Sequence, residues 1–292
     1  MKAVIHNDDY ALSYGFTNAI NESFTKGITT STSIRTNGPA FKESCKFLLR
    51  HPKLGRGIHF NLTDGPALNK NLSNENGVFK YDFFAYFAML FFPNRNLITE
   101  IEKEFYLQHE LVKKMKLKVD HVNSEKHIHM IPAIFETTCK FCKKNKIKYI
   151  RLTNEPYFLV GNLKKDIKPF LNSNIIKFIL LNLCAKYNLR ILKKYNLKTT
   201  DAFYGVLHTN WMDEEIIKSV IKNARNNNLK SIEILGHPAK TSGVKEKKYT
   251  SEYIKWYSKL PNRELERKTF SSQNLKNYFE KLKIKRIRFN QI

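Results

Sequence analysis

Seven short apolar runs alternate with stretches of helical periodicity, and no other feature restricts the fold as much. Lys2–Ile5, Ile28–Ile34, Arg56–Leu62, Lys118–Val122, Lys148–Leu152, Asp201–Gly205 and Lys230–Leu235 read as strands. Between the first two, Gly15–Lys26 places Phe16, Ala19, Ile20 and Phe24 on one helical face, and Gly27 stops it. Ala40–Arg50, the stretch capped by Asn96, Ala133–Asn145 and Asp213–Arg225 repeat that spacing. Strands alternating with helices predict an α/β fold with about seven parallel strands, either a barrel or doubly wound. Two stretches break the rhythm: the aromatic run Tyr81–Phe92 and Lys168–Lys194, which carries IIKFILLNL between basic flanks. They read as helical insertions, near 69–96 and 157–200, on a single domain spanning 1–292.

Composition narrows the function classes. A hydrophobic share of 42% in 292 residues supplies a sizeable core. Four cysteines exclude a disulfide scaffold and fit a reducing compartment. The start MKAVIHNDDY turns acidic too early for a secretory signal. No apolar run reaches the roughly 18 residues a transmembrane helix requires. The expectation is a cytoplasmic protein. The net charge of +25 would suit nucleic acid or an anionic membrane. Its Lys and Arg are spread over almost every segment, and no nucleic-acid motif is present, so no specific nucleic-acid partner is expected.

The acids and histidines collect where predicted strands end. Asp8-Asp9 follows the first strand, His59 and Asn61 close the third, and Asn123, Glu125, His127 and His129 follow the fourth. Arg151 ends the fifth, and His237 follows the seventh in a Gly-His-Pro turn. In parallel α/β folds the loops converge at the carboxyl ends of the strands, and ligands sit there. Adjacent carboxylates are held more easily beside a cation. If the chain stays extended past the fourth strand, Asn123, Glu125, His127 and His129 share one side. Oxygen and imidazole donors suit Zn²⁺, Mn²⁺ or Mg²⁺, and three protein ligands leave room for water. A bound water of lowered pKa is a nucleophile at neutral pH, and His237 is placed to act as general acid, a set suited to amide or ester hydrolysis.

The stretches HNDDYALSYGFTNAI (6–20), KGITTSTSIRTNGPAF (26–41), LGRGIHFNLTDGPAL (54–68), DHVNSEKHIHMIPAIF (120–135), YIRLTNEP (149–156), DAFYG (201–205) and EILGHPAK (233–240) resemble the YdjC-like carbohydrate deacetylases. That family includes chitooligosaccharide and hopanoid-pathway sugar deacetylases, and the resemblance runs in order over nearly the whole chain. It implies a distorted (β/α) barrel of the polysaccharide-deacetylase type and one divalent metal ion, Zn or Mg, with Mn the further choice. It implies removal of an acetyl group from an N-acetylated sugar, whether oligosaccharide, polysaccharide precursor or lipid-linked sugar. By position, Asp8 matches the general base, Asp9 and His59 two metal ligands, and His237 the acid. The family's third ligand is a His, two residues after an Asp. Here those places hold Glu125 and Asn123. The resemblance therefore implies an Asp9-His59-Glu125 site, with His127 the alternative third ligand. Arg151 matches an Arg that orients site carboxylates or substrate. Asn61, Asn123, His127 and His129 are the further candidates around the substrate. The family usually shows Asn-Ala-Asp-Asp-Phe-Gly where this chain has HNDDYA, so His6 and Ala11 are a second departure. The replaced ligand motivates a second reading, a catalytically inactive member that binds glycan or lipid-linked sugar.

Three remaining signals are weaker. Cys139-x-x-Cys142 lies in a predicted helix without a second pair, and reads as structural. The aromatic run at 81–92 either lines a sugar site or packs beneath an insertion. The 168–194 stretch reads as a helix packed on the barrel, as a homodimer surface, or as an interfacial helix against anionic lipid.

Overall fold

The computed structural model describes residues 1–92, 94–244, 246 and 249–292. Lys245, Lys247 and Lys248, most of a short charge run whose composition reads as a solvated loop, lie outside the described residues. In chain order the first half is β1 (Lys2–Tyr10), α1 (Tyr14–Lys26), β2 (Ser31–Ile34), α2 (Phe41–Arg50), β3 (Gly55–Phe60), α3 (Phe83–Met89), α4 (Arg95–Lys114), β4 (His121–Ser124) and α5 (Pro132–Lys144). The second half is β5 (Tyr149–Ile150), α6 (Leu163–Ile167), α7 (Asn174–Lys194), β6 (Ala202–Tyr204), α8 (Glu214–Asn226), β7 (Ser231–Gly236), α9 (Glu252–Ser258), α10 (Pro261–Phe270), α11 (Gln273–Lys281) and β8 (Lys285–Ile287).

The seven expected strands form one curled parallel sheet, ordered β5-β4-β3-β2-β1-β7-β6. The chain entering β6 reaches across to β5, where the Ile150 amide donates to the Lys198 carbonyl at 3.0 Å. An eighth strand was not expected. β1 is long enough for β8 to pair with Lys2–Val4 while β2 pairs with His6–Tyr10. Lys285, Arg286 and Ile287 carry too little apolar character to read as a buried strand.

Period-two alternation sorts the side chains of β1. Ala3 and Ile5 pack outward with Ile217, Val220, Leu275 and Phe279 from α8 and α11. Val4 packs inward with Tyr149, Ile287 and Phe289. The same alternation turns His6 and then Asp8 inward. Above the apolar floor, His6 meets His121 edge-on at 5.0 Å, and His121 stacks on Phe289 at 4.1 Å. Gly57 on β3 leaves the space for that imidazole, because a Cβ there would lie 2.3 Å from His121 Nε2. The interior is therefore graded, apolar at the amino ends of the strands and polar at the carboxyl ends.

The aromatic run resolves mainly into packing: Tyr86 is fully buried against Tyr81, and Phe83 and Phe87 pack on the same core, while Phe84, Phe91 and Phe92 face solvent. Cys139 and Cys142 are buried as free thiols in α5, and burial pushes both thiols up, to about 12 for Cys139. No helix among the described residues is long and apolar enough to cross a membrane.

After β6, His208 packs its ring on Phe158, and its Nε2 finds no partner among the described residues. Burial pushes its pKa down to about 4. The unfolded chain therefore takes up a proton here that the folded chain refuses, and stability is lost as pH falls from about 6.5 toward 4. Between pH 7 and pH 5 the native protein should lose about 2 kcal/mol more than His208→Asn does. Denaturant midpoints of the two proteins at both pH values check this; parallel losses would refute it.

Candidate functional site

Asp8 and Asp9 are neighbours on one strand, so strict alternation would send them to opposite faces. They lie inside β1, not after it as expected. The backbone at Asp9 turns left-handed (φ 64°), and the pairing register with β2 shifts between Asn7 and Tyr10. That bulge returns the Asp9 carboxylate to the interior, on the same side as Asp8. Asp tolerates this region better than most residues, through its short polar side chain.

Asp8 is held from several sides. Arg151 grips it with both terminal nitrogens, at 2.6 and 2.9 Å. The Asn123 amide donates to Oδ1 at 2.8 Å, Ser33 donates at 3.1 Å, and His6 Nε2 stands 3.0 Å away. Burial alone would raise this carboxyl, but Arg151, with His59 and His6, holds it well below the usual carboxylate range. Arg151 is itself fully buried and also donates to Glu233 Oε1, through Nε at 2.8 Å and Nη2 at 2.6 Å. Oδ1 of Asp8 is crowded, whereas Oδ2 meets Arg151 and faces His237 Nε2 at 4.0 Å.

Beside Asp8, three side chains converge. Asp9, His59 and Glu125 are buried, and their donor atoms all lie within 4.8 Å of one another. Asn123 fixes the imidazole. Its NH₂ is committed to Asp8, so its oxygen faces His59 Nδ1 at 2.8 Å and that nitrogen carries the proton. Nε2 is turned toward Asp9 Oδ1 (3.7 Å) and Glu125 Oε2 (3.6 Å). These separations exceed a hydrogen bond and suit donors spaced round an ion. Two carboxylate oxygens and one oriented imidazole, its far N–H held by an amide, form a donor set that fits a divalent cation. Burial would lower His59, but Asp8, Glu125 and Asp9 together raise it. Burial and the Glu125 charge push Asp9 up.

The extended continuation expected past strand four does not occur. Lys126 (φ 49°) and His127 (φ 56°) are left-handed, and Glu125–Met130 winds into a tight 3₁₀ turn. Asn123 and Glu125 face the site, but His129 turns away. Its Nδ1 meets Ser124 Oγ at 2.5 Å and its Nε2 meets the Arg151 carbonyl at 3.1 Å, clamping the turn to the end of β5. Burial and Arg151 push its pKa down to about 3. His127 is not part of the converging triad. It lies edge-on to Phe203, with Nδ1 lacking a partner among the described residues. Asn61 spends its side chain on the following turn, donating to Asp64 O at 2.5 Å and accepting from the Thr63 and Asp64 amides. It shapes the rim on which Arg35 rests. His237 sits at the mouth, its amide bonded to Glu266 and its carbonyl to Arg263. Burial, with Arg263, pushes its imidazole down to about 3.

Several neighbours escaped the sequence reading. Ser31 and Ser33 on β2 and Arg35 just past its end follow at every second position and meet His6, Asp8 and Glu125 in turn. Polar residues at period two in a strand buried on both faces were the available signal, as was Glu233 among the isoleucines of β7. Tyr257 offered no such signal. It lies on α9, far along the chain, and its hydroxyl reaches Asp9 Oδ2 at 3.2 Å.

Comparison with known proteins follows the same lines. A protein named carbohydrate deacetylase from Clostridium beijerinckii is 26% identical over 226 residues, 75% of this chain and 85% of that protein. A carbohydrate deacetylase from Geobacillus stearothermophilus is 32% identical over 152 residues, 49% of this chain and 57% of that one. One from Oceanobacillus iheyensis is 29% identical over 150 residues, covering 50% of this chain and 63% of that protein. A solved protein from Enterococcus faecalis V583, named for cellobiose-phosphate cleavage, superposes with a TM-score of 0.74 over 99% of this chain and 98% of its own, at 19% identity, and so shares the fold. The family profile described as YdjC-like protein matches residues 2–281, from the first strand through α11, and the chain belongs to that family.

Proposed function

We propose that this protein hydrolyses the acetamide of an N-acetylated sugar, using one divalent cation held by Asp9, His59 and Glu125. The observation that carries the reading is the convergence of those three donors beside a carboxylate clamped by Arg151. The named activity of the matched relatives supports the substrate class. A bound divalent cation there supplies Lewis acidity toward water and toward the acetyl carbonyl. Asp8 stays ionised and takes the proton of the attacking water at Oδ2, its less crowded oxygen. Arg151 and Asn123 keep that carboxylate from rotating. His237 enters as a neutral imidazole, since its pKa is pushed down to about 3, so it must gain its proton during the cycle. Asp8 Oδ2, 4.0 Å from Nε2, is placed to pass that proton on, and His237 then gives it to the departing amine.

Acetate release from N-acetylated mono- and oligosaccharides, after chelation and readdition of Zn²⁺, Mn²⁺ or Mg²⁺, tests this. Chelation should abolish turnover and one of the three ions should restore it. One observation favours the second reading, an inactive glycan-binding member. Arg35 Nη1 donates to Glu125 Oε2 at 2.9 Å, so a guanidinium competes with a cation for that oxygen. A purified protein that takes up none of the three ions, and releases no acetate, decides for binding without catalysis.

A further inference from the structure

Beyond the reaction, we infer that the α6–α7 face docks on an anionic lipid bilayer. α7 is apolar on two sides. Leu181, Cys184, Ala185 and Leu192 face the barrel and are buried. On the opposite side Ile176, Ile179, Leu183 and Tyr187 recur at spacings of three and four and form one stripe, each more than half exposed (61, 53, 58 and 56%). Ahead of the helix in the chain, Leu163, Phe170 and Leu171 are 74, 55 and 79% exposed. An exposed apolar stripe of this kind calls for a covering partner.

Charge selects the partner. From 157 to 200 the chain holds nine Lys and Arg and a single acid, Asp166. Asp166 is spent on the Val160 and Gly161 amides. Lys165 is paired with Asp213 and Glu215, and Lys194 with Glu136. Lys186 flanks the apolar stripe, and Arg190 continues its line. A second copy of the chain would oppose this cationic face with another like it. A bilayer of anionic headgroups instead offers opposite charge at the rim and hydrocarbon beneath, the arrangement that holds interfacial helices. The helix is also seated by the site. The Asn174 side chain donates to Leu207 O and Thr209 O, and Asn188 to Met130 O, so α7 rests on loops at the carboxyl ends of β6 and β4.

The test is flotation of the full chain with phosphatidylcholine vesicles, with and without about 30% phosphatidylglycerol, at low and at raised salt. Binding should be at least about tenfold stronger with phosphatidylglycerol and should weaken with salt. The double variant Ile176→Asp/Leu183→Asp should lose about tenfold or more, and Lys186→Ala/Arg190→Ala several-fold with a flatter salt dependence. Circular dichroism and activity on a soluble substrate should be unchanged in both, since these side chains are exposed. No binding to phosphatidylglycerol vesicles overturns the proposal. So does undiminished binding by the aspartate variant, which would leave net charge as the cause. A dimer in solution that the same variant makes monomeric, without vesicle binding, assigns the face to a second copy instead.

Discussion

Asp8→Ala should lower kcat for acetate release by about 10³-fold while cation content stays near that of the native protein. Asp8 is outside the converging triad, so its loss removes the proton acceptor and leaves Asp9, His59 and Glu125 in place. Arg151 keeps its bonds to Glu233, so the variant retains one partner for the buried guanidinium. His59→Ala should behave differently and lose cation and turnover together, because His59 Nε2 is the one imidazole donor of the triad. Metal analysis beside single-substrate kinetics separates the two variants. Full activity in Asp8→Ala, or loss of the cation equal to that in His59→Ala, removes Asp8 from the role of base.

Arg151→Met should cost about 3–5 kcal/mol of folding stability, the largest structural effect expected of one substitution here. Asp8 and Glu233 are both buried, and both rely on this guanidinium. Glu233 has little else, since its Oε2 finds no partner among the described residues. Burial raises its carboxyl, with Arg151 opposing. Removing Arg151 leaves two buried carboxylates without their guanidinium, and an unpaired buried charge is far costlier than a missing pair. The double variant Arg151→Met/Glu233→Met should recover part of the loss, because it deletes one orphaned charge. Urea unfolding of the three proteins checks the ordering, and a loss below about 1 kcal/mol for Arg151→Met would show that the site does not depend on the pair.

Much of the site was legible because strand ends announce themselves. Asp8, His59, Glu125 and Arg151 each follow or close an apolar run, and parallel strands bring their carboxyl ends together whatever the details of the loops. The family resemblance added roles that spacing could not supply. Irregular backbone is where residue spacing misleads. Past β4, extended alternation put His127 and His129 beside Glu125, but the left-handed pair Lys126-His127 folds the chain back and spends His129 on Ser124 and the Arg151 carbonyl. β8 was missed because its charged sequence pairs along β1 rather than being buried on both faces.

The sequence alone determined the seven-stranded parallel sheet and the end of it that carries the polar groups, because apolar periodicity reports burial locally and chain order limits how strands pair. Which side chains meet depended on tertiary structure. Asp9 joins Asp8 only through one positive φ and a register shift. Arg35 and Tyr257 reach Glu125 and Asp9 from positions 90 and 248 residues away in the chain. Periodicity carries no information about a single unusual dihedral or about contacts at such separation, and those set the distances on which the chemistry depends.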